Sequence, residues 1–151
     1  MIQILEEKTT SPEETRKLAD FFWKNYIQKE KNVSVFFTGK LGAGKTIFIQ
    51  ELMKNFGVNQ EITSPTYIFV NQYQTSSQSF AHFDFYRLPE PSEFFAHGFE
   101  EWASNEKILK FVEWPEKITP KIKKLFSGTH FEIQITPKTG DKRLISIFKN
   151  S

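Results

Sequence analysis

The sequence lacks cysteine, any long apolar run and a strong net charge. With no cysteine among 151 residues, a disulfide framework and a zinc site built from thiolates are excluded. No apolar stretch approaches the length of a membrane span or a signal-peptide core, so we expect a cytoplasmic protein. A formal net charge of only +2 argues against a protein that grips nucleic acid by bulk charge alone.

Arginine is also scarce, whereas phenylalanine is abundant. The arginines are Arg16, Arg87 and Arg143, against 17 phenylalanines. The aromatic side chains supply the volume for a substantial core, which a chain of this length can bury without cross-links. We therefore expect one domain over residues 1–151.

One sequence motif indicates the kind of ligand that the protein binds. Residues 39–46 read Gly-Lys-Leu-Gly-Ala-Gly-Lys-Thr, which fits the phosphate-binding P-loop pattern G-x-x-x-x-G-K-[ST]. In this pattern backbone N–H groups surround the phosphates of a nucleotide, Lys45 neutralises their charge and the hydroxyl of Thr46 binds Mg²⁺. The alternative is a glycine-rich turn that binds nothing.

The flanking segments favour the nucleotide-binding reading. Residues 33–37 are β-branched or aromatic, apart from one serine, and predict a buried strand that leads into the loop. After the loop, apolar residues recur at helical spacing up to Phe56, and Gly57 is a plausible helix end. Strand, glycine loop and helix are the order that a phosphate site at a helix N-terminus requires.

The rest of the chain predicts an α/β fold with a mixed β-sheet flanked by helices. Ser11 is the expected N-cap of the first helix, with Pro12 in its first position and Glu14 completing a capping box. Further strands are predicted at residues 2–5, 67–73, 80–86, 108–112, 131–136 and 144–148. Further helical segments are predicted from Pro12 to near residue 29 and over residues 93–103, with an interruption near Gly98.

A P-loop needs a carboxylate that holds Mg²⁺, and two candidates end or lie within predicted strands. Glu113 follows the apolar run 108–112, and Asp84 lies within the segment 82–87, His-Phe-Asp-Phe-Tyr-Arg. The period of two places His82, Asp84 and Tyr86 on one face of that strand, opposite two phenylalanines. Glu113 could instead be a solvated strand end, and Asp84 could be a structural partner of Arg87 or His82.

Two further segments stand close to these motifs in the chain. Residues 63–67, Thr-Ser-Pro-Thr-Tyr, form a hydroxyl-rich loop where P-loop GTPases place the loop that senses the γ-phosphate. A simple connecting turn is the competing interpretation. Trp114 follows Glu113 directly, and its indole could contact the nucleotide or cover the core.

Three other functions compete with that of an ATPase. A small-molecule kinase usually carries several arginines to clamp anionic substrates, which three arginines in total make less favourable. A GTPase would need the base-reading motif Asn-Lys-x-Asp, which the sequence lacks. The third alternative is a non-catalytic module, in which bound nucleotide only permits the binding of another protein. This alternative differs little from a weak ATPase.

Taken together, these segments resemble the TsaE family, also called YjeE, of bacterial P-loop ATPases in the tRNA threonylcarbamoyladenosine pathway. The resemblance rests on residues 11–15, 39–46, 64–67, 82–87 and 112–115, in the same order and spacing. No recognisable motif follows residue 117. The P-loop alone is generic, but its combination with Ser-Pro-Thr-Tyr, His-x-Asp-x-Tyr-Arg and Val-Glu-Trp-Pro is specific.

The resemblance implies a set of roles for residues of this chain. ATP or ADP would be bound by Gly39, Leu41, Gly42, Ala43, Gly44, Lys45 and Thr46, with Trp114 beside the nucleotide and the start of the first helix, around Thr10 to Glu14, near the adenine. Mg²⁺ would be held by Thr46 and Glu113, and the catalytic residues would be Lys45, Asp84 and Glu113. The switch-like residues would be Ser64, Thr66, Tyr67, His82, Tyr86 and Arg87.

The resemblance also implies a weak ATPase that acts with the TsaB–TsaD pair. TsaD would transfer the threonylcarbamoyl group to the adenosine beside the anticodon, so a TsaE-like protein would not perform that transfer. Its contact with tRNA would be indirect.

Overall fold

A computed structural model of the chain describes residues 1–65 and 67–150. Within these ranges the strands are Ile2–Thr9 (β1), Val33–Thr38 (β2), Val70–Gln74 (β3), Ser79–Asp84 (β4), Ile108–Glu113 (β5), Thr129–Pro137 (β6) and Arg143–Lys149 (β7). The α-helices are Pro12–Phe22 (α1), Lys45–Asn55 (α2), Glu93–Ala96 (α3), Phe99–Ser104 (α4) and Pro120–Lys123 (α5). A π-helical turn, Trp23–Ile27, extends α1, and a 3-10 turn, Pro115–Lys117, follows β5.

The strands form one mixed sheet in the order β1-β7-β6-β2-β5-β4-β3. The central strands β6, β2, β5 and β4 run parallel, whereas β3, β7 and β1 pair antiparallel with their neighbours. The predicted mixed sheet is therefore confirmed. Since β2, β5 and β4 are parallel, their carboxyl ends meet at one edge of the sheet, which is where ligands bind in open α/β folds.

Both faces of the sheet are covered, and each carries a phenylalanine-rich core. Alternation along β2 sends Val35 and Phe37 into the core under α1 and α2, and Phe36 into the core under α3, α4 and α5. In the first core the rings of Phe22 and Phe131 pack edge to face with centroids 5.2 Å apart. Burying one such ring contributes about 2–3 kcal/mol, so this contact holds α1 against β6.

The start of α1 confirms one cap and corrects another. Ser11 is the N-cap, and its hydroxyl accepts the N–H of Glu14 at 3.2 Å. The carboxylate of Glu14, however, accepts the N–H and the hydroxyl of Thr10 rather than the N–H of Ser11. The predicted capping box is wrong because Thr10 offers two donors where Ser11 offers one backbone N–H; these two bonds lower the pKa of Glu14.

The boundaries of β1, β3 and β4 also differ from the prediction. β1 extends to Thr9, because its polar second half pairs with β7 at the sheet edge, where outward side chains reach water. β3 begins at Val70, since Phe69 has φ 65° and the described residues before it form a turn. β4 ends at Asp84, whose carboxylate accepts the N–H of Tyr86 at 3.0 Å and starts a turn.

The remaining predicted elements lie where expected. The helical segment after residue 92 is interrupted at Gly98, which has φ 73° and separates α3 from α4. β6 and β7 form the predicted final hairpin. The prediction missed α5. In the described part of the chain, no helix is both long enough and apolar enough to cross a membrane.

Candidate functional site

The glycine loop connects the end of β2 to the start of α2, as predicted. Its first glycine lies so close to β6 that a Cβ atom on Gly39 would stand 2.7 Å from the carbonyl oxygen of Ile135. Gly44 precedes the helix with φ 108°, a conformation that L side chains rarely adopt. Close approach and backbone conformation therefore explain the glycines at these two positions.

The N-terminus of α2 is open to an anion. Its N-cap residue is Gly44, and no side chain of the described residues caps the helix. The first-turn N–H groups of such a helix have no intrahelical acceptor, and the helix dipole adds partial positive charge. A phosphate bound here would satisfy both.

The helix start faces a cleft of about 480 Å³ that brings together residues far apart in the sequence. Its lining consists of Leu41, Gly42, Ala43, Gly44, Lys45, Thr46, Ile47, Ser64, Asp84, Tyr86, Arg87, Glu113 and Trp114. All but Ile47 were predicted as site residues. The cleft lies at the carboxyl ends of β2, β4 and β5.

Two predicted metal ligands are linked through one hydroxyl. The Oγ of Ser64 lies 3.2 Å from the hydroxyl of Thr46 and donates to Oε2 of Glu113 at 3.3 Å. The same Oε2 lies 2.8 Å from Nε2 of His82. A carboxylate and a hydroxyl this close form a hard oxygen donor pair that suits Mg²⁺. In the described residues no cluster of three or more histidine or acidic side chains could hold a metal alone.

Asp84 and Glu113 occupy paired positions at the ends of β4 and β5. Burial raises the pKa of Asp84, and the charge of Glu113 raises it further, while the N–H of Tyr86 opposes this shift. Among the described residues Asp84 has no ion pair with Arg87. The guanidinium of Arg87 instead lies 5.1 Å from the ring centroid of Tyr67.

Lys45 is buried at the base of the cleft. Its ammonium donates to the carbonyl of Gly39 at 2.6 Å and lies 3.8 Å from the centroid of the Trp114 ring. Burial lowers the pKa of Lys45, against the raising effect of Glu113, Glu116 and Asp84. Neither contact is with a carboxylate, so the cation stays available to a phosphate.

Trp114 borders the cleft and also packs against the core, while its contact with a nucleotide stays a prediction. Its backbone is left-handed, with φ 58°, and its ring packs 4.8 Å from that of Tyr86. Part of the indole also contacts the core under α3, α4 and α5.

Several predicted site residues lie outside the cleft. Gly39 contributes its carbonyl to Lys45, and His82 is buried behind Glu113. Tyr67 is 77% exposed and does not line the cleft. Thr10 borders a neighbouring surface pocket, while Ser11 and Pro12 line a small pocket together with residues 42–44 of the glycine loop. Thr66 lies outside the described residues.

Sequence reasoning did not assign a role to Arg143, which contacts the loop directly. Its Nε donates to the carbonyl of Ala43 at 3.0 Å, and its Nη1 donates to the carbonyls of Gly140 and Lys142. Arg143 thus ties the β6–β7 turn to the glycine loop. Arginine is scarce in this sequence, and that scarcity was the one signal that pointed to Arg143. The contact itself could not be predicted, because 100 residues separate Arg143 from Ala43.

The fold and the site together define an α/β protein of the P-loop NTPase type. The glycine loop after a central parallel strand, the open helix N-terminus and the carboxylates at the neighbouring strand ends are its features.

The chain belongs to the TsaE family. The family model described as threonylcarbamoyl adenosine biosynthesis protein TsaE matches residues 9–145. A relative from Rickettsia felis, named tRNA threonylcarbamoyladenosine biosynthesis protein TsaE, is 39% identical over 140 residues, which are 92% of this chain and 77% of that protein. A protein of the same name from Haemophilus influenzae is 31% identical over 143 residues, covering 89% of each chain.

A solved structure shares the fold. The crystal structure of Bacillus subtilis YdiB superposes with a TM-score of 0.66, covering 97% of this chain and 86% of that one at 24% sequence identity. This likeness supports the α/β architecture.

Proposed function

We propose that the protein binds ATP with Mg²⁺, hydrolyses it slowly and acts in the biosynthesis of threonylcarbamoyladenosine in tRNA. The observation that carries the nucleotide part is the cleft, where the glycine loop, Lys45, Thr46, Asp84 and Glu113 converge. The names of the relatives, which refer to this modification, support the pathway.

The loop and helix would bind the phosphates. The N–H groups at the start of α2 would donate to phosphate oxygens, and Lys45 would leave its carbonyl and indole contacts to neutralise the β- and γ-phosphates. Both residues that flank the ammonium, Gly39 and Trp114, keep it within the cleft until then.

Thr46 and Glu113 would hold Mg²⁺, and Asp84 would support hydrolysis. A bound Mg²⁺ neutralises charge on the phosphates as the transferred group separates. The carboxylate of Asp84, beside Glu113 at the strand ends, would orient the attacking water near the γ-phosphate. Positioning and charge neutralisation would supply most of the rate.

The segment around Ser64, within residues 63–67, would differ between the nucleotide-bound and nucleotide-free protein, and a partner would recognise this difference. Ser64 contacts both Thr46 and Glu113, so a nucleotide that recruits these two residues changes the surroundings of the loop. We expect this change to permit engagement of a TsaB–TsaD pair, with hydrolysis resetting the complex and no direct grip on tRNA. Transfer of the threonylcarbamoyl group would belong to TsaD.

The cleft favours an ATPase over a small-molecule kinase. Among the residues that line it, the cations are Lys45 and Arg87. A kinase that clamps a second anionic substrate usually supplies more.

Calorimetric titration with ATP, ADP and GTP, with and without Mg²⁺, tests the nucleotide part. We expect ATP and ADP to bind more tightly than GTP. Lys45→Ala should abolish measurable binding because it removes the cation within the loop, whereas Lys40→Ala, at an exposed loop position, should bind within about twofold of wild type. Equal binding by the Lys45→Ala variant would exclude this site.

Depletion of the protein in its source cell, followed by nucleoside analysis of tRNA, tests the pathway. Threonylcarbamoyladenosine should fall and return on expression of the wild-type protein, but not of the Lys45→Ala variant. An unchanged nucleoside level would remove the pathway assignment and leave nucleotide binding standing.

A further inference from the structure

His82 is a buried polar residue that contacts Glu113. It lies in β4, is fully buried and has Phe80, Ala81 and Phe83 as equally buried neighbours along the strand. Its Nε2 lies 2.8 Å from Oε2 of Glu113. Its Nδ1 is buried without a hydrogen-bond partner among the described residues.

An apolar side chain would suit this core position better if packing were all that mattered. A buried ring nitrogen without a partner lowers stability, because it loses its hydrogen bond to water on folding. The contact of Nε2 with Glu113 is therefore what the histidine adds over a phenylalanine or leucine. A carboxylate can only accept, so Nε2 carries the proton of this bond.

The contact fixes one oxygen of Glu113. Oε2 accepts from His82 on the core side and from Ser64 on the cleft side. Within the described part of the chain both donors contact Oε2, so Oε1 would be the oxygen that binds a metal. His82 itself does not line the cleft, so it can act on a ligand only through Glu113.

We propose that His82 is a positioning residue that orients the Glu113 carboxylate for the divalent cation of the bound nucleotide. This inference rests on the proposed function of the same cleft. Hydrogen-bond partners behind a metal-binding carboxylate hold it in the orientation that the ion requires, and their loss typically weakens metal affinity about 10- to 100-fold.

The test measures metal binding without turnover. Mn²⁺ is titrated against protein and ADP, and the free ion is followed by electron paramagnetic resonance. His82→Leu should weaken Mn²⁺ binding about tenfold. His82→Gln, whose amide N–H can take the place of Nε2–H, should restore it to within about threefold, and His82→Asn, which is too short to reach Glu113, should not.

Two controls separate positioning from a general loss of structure. Binding of ADP in EDTA should stay within about twofold of wild type in every His82 variant, because the loop is untouched. His97→Gln, at an exposed histidine that contacts Glu93, should bind Mn²⁺ and ADP like wild type. In a Glu113→Gln background, adding His82→Leu should weaken Mn²⁺ binding less than about twofold, because no carboxylate remains for His82 to orient.

Wild-type Mn²⁺ affinity in His82→Leu, no difference between the Gln and Asn variants, or a parallel loss of metal-free ADP binding would each overturn the role of His82. If His82→Leu does not fold, the comparison of Gln with Asn decides. If the wild-type protein binds neither ADP nor Mn²⁺ with ADP, the proposed function itself fails. If wild type binds both and the variants match it, only the role of His82 fails.

Discussion

The ammonium of Lys45 lies 3.8 Å from the centroid of the Trp114 ring, and both residues line the cleft. A ring face attracts a cation less strongly than a phosphate does. We therefore expect nucleotide binding to move Lys45 off the indole, so that Trp114 reports the occupancy of the site.

This relationship predicts a fluorescence signal. Addition of ATP should change the tryptophan emission of the wild-type protein, and Trp114→Phe should abolish that change. Trp102→Phe, a matched control at the partly buried indole of α4, should retain it. Calorimetry on Trp114→Phe should show ATP affinity about three- to tenfold weaker, because aromatic contact area is lost. A full signal in Trp114→Phe would contradict the assignment.

Asp84→Asn should separate binding from hydrolysis. The amide keeps the size of the side chain and an oxygen that can accept the N–H of Tyr86, but it cannot orient water as a carboxylate does. We expect ATP affinity within about threefold of wild type and a hydrolysis rate at least about 100-fold lower. Phosphate release measures the rate. Asp20→Asn, at a carboxylate on α1 that contacts Asn55, should hydrolyse ATP normally; a normal rate in Asp84→Asn would show that Asp84 has no such role.

Arg143→Met should loosen the glycine loop from the β6–β7 turn. The variant leaves the carbonyls of Ala43 and Gly140 without their donors, and a hydrogen bond from a charged group contributes roughly 1.5–3 kcal/mol. ATP should bind roughly tenfold more weakly, and the melting temperature should fall. Lys142→Met removes a neighbouring charge without touching the loop and should leave ATP affinity unchanged. Equal affinities of these two variants would refute the contact's importance for binding.

The burial of Lys110 predicts how the free energy of unfolding depends on pH. Its buried ammonium donates to Asn32, Asn105 and Ser127 at 2.7–2.9 Å, and burial lowers its pKa to about 8. Because the folded state releases this proton more readily than the unfolded state, whose lysine pKa is near 10.4, the free energy of unfolding should rise as the pH increases from about 8 towards 10.

The expected gain is on the order of 2 kcal/mol. Urea unfolding of wild type and Lys110→Met across this range measures it, since other lysines and tyrosines titrate alike in both. The unfolding free energy of the wild-type protein minus that of Lys110→Met should become more positive as the pH rises. A constant difference would show that Lys110 does not titrate as described.

The glycine loop and its flanking elements could be predicted because their determinants are local. The β-branched run, the glycines at 39, 42 and 44 and the helical spacing after Thr46 all lie within about 25 consecutive residues. Asp84 and Glu113 could be predicted as cleft residues because carboxyl ends of neighbouring parallel strands meet.

Boundaries and partners depended on contacts that no local pattern contains. β1 is longer than its apolar residues suggest because β7 supplies its hydrogen bonds. Lys110 lies in the otherwise apolar segment 108–112, and its burial is possible because three separate segments supply hydrogen-bond acceptors.

By itself, therefore, the sequence determined a strand, a phosphate-type loop and a helix, together with the residue types that the chemistry would need. Only the tertiary structure decided that Ser64 joins Thr46 to Glu113, that His82 stands behind that carboxylate and that Arg143 holds the loop. The physical reason is strand order. Placing β2 between β6 and β5, with β4 beyond β5, brings side chains from distant parts of the chain to one edge of the sheet.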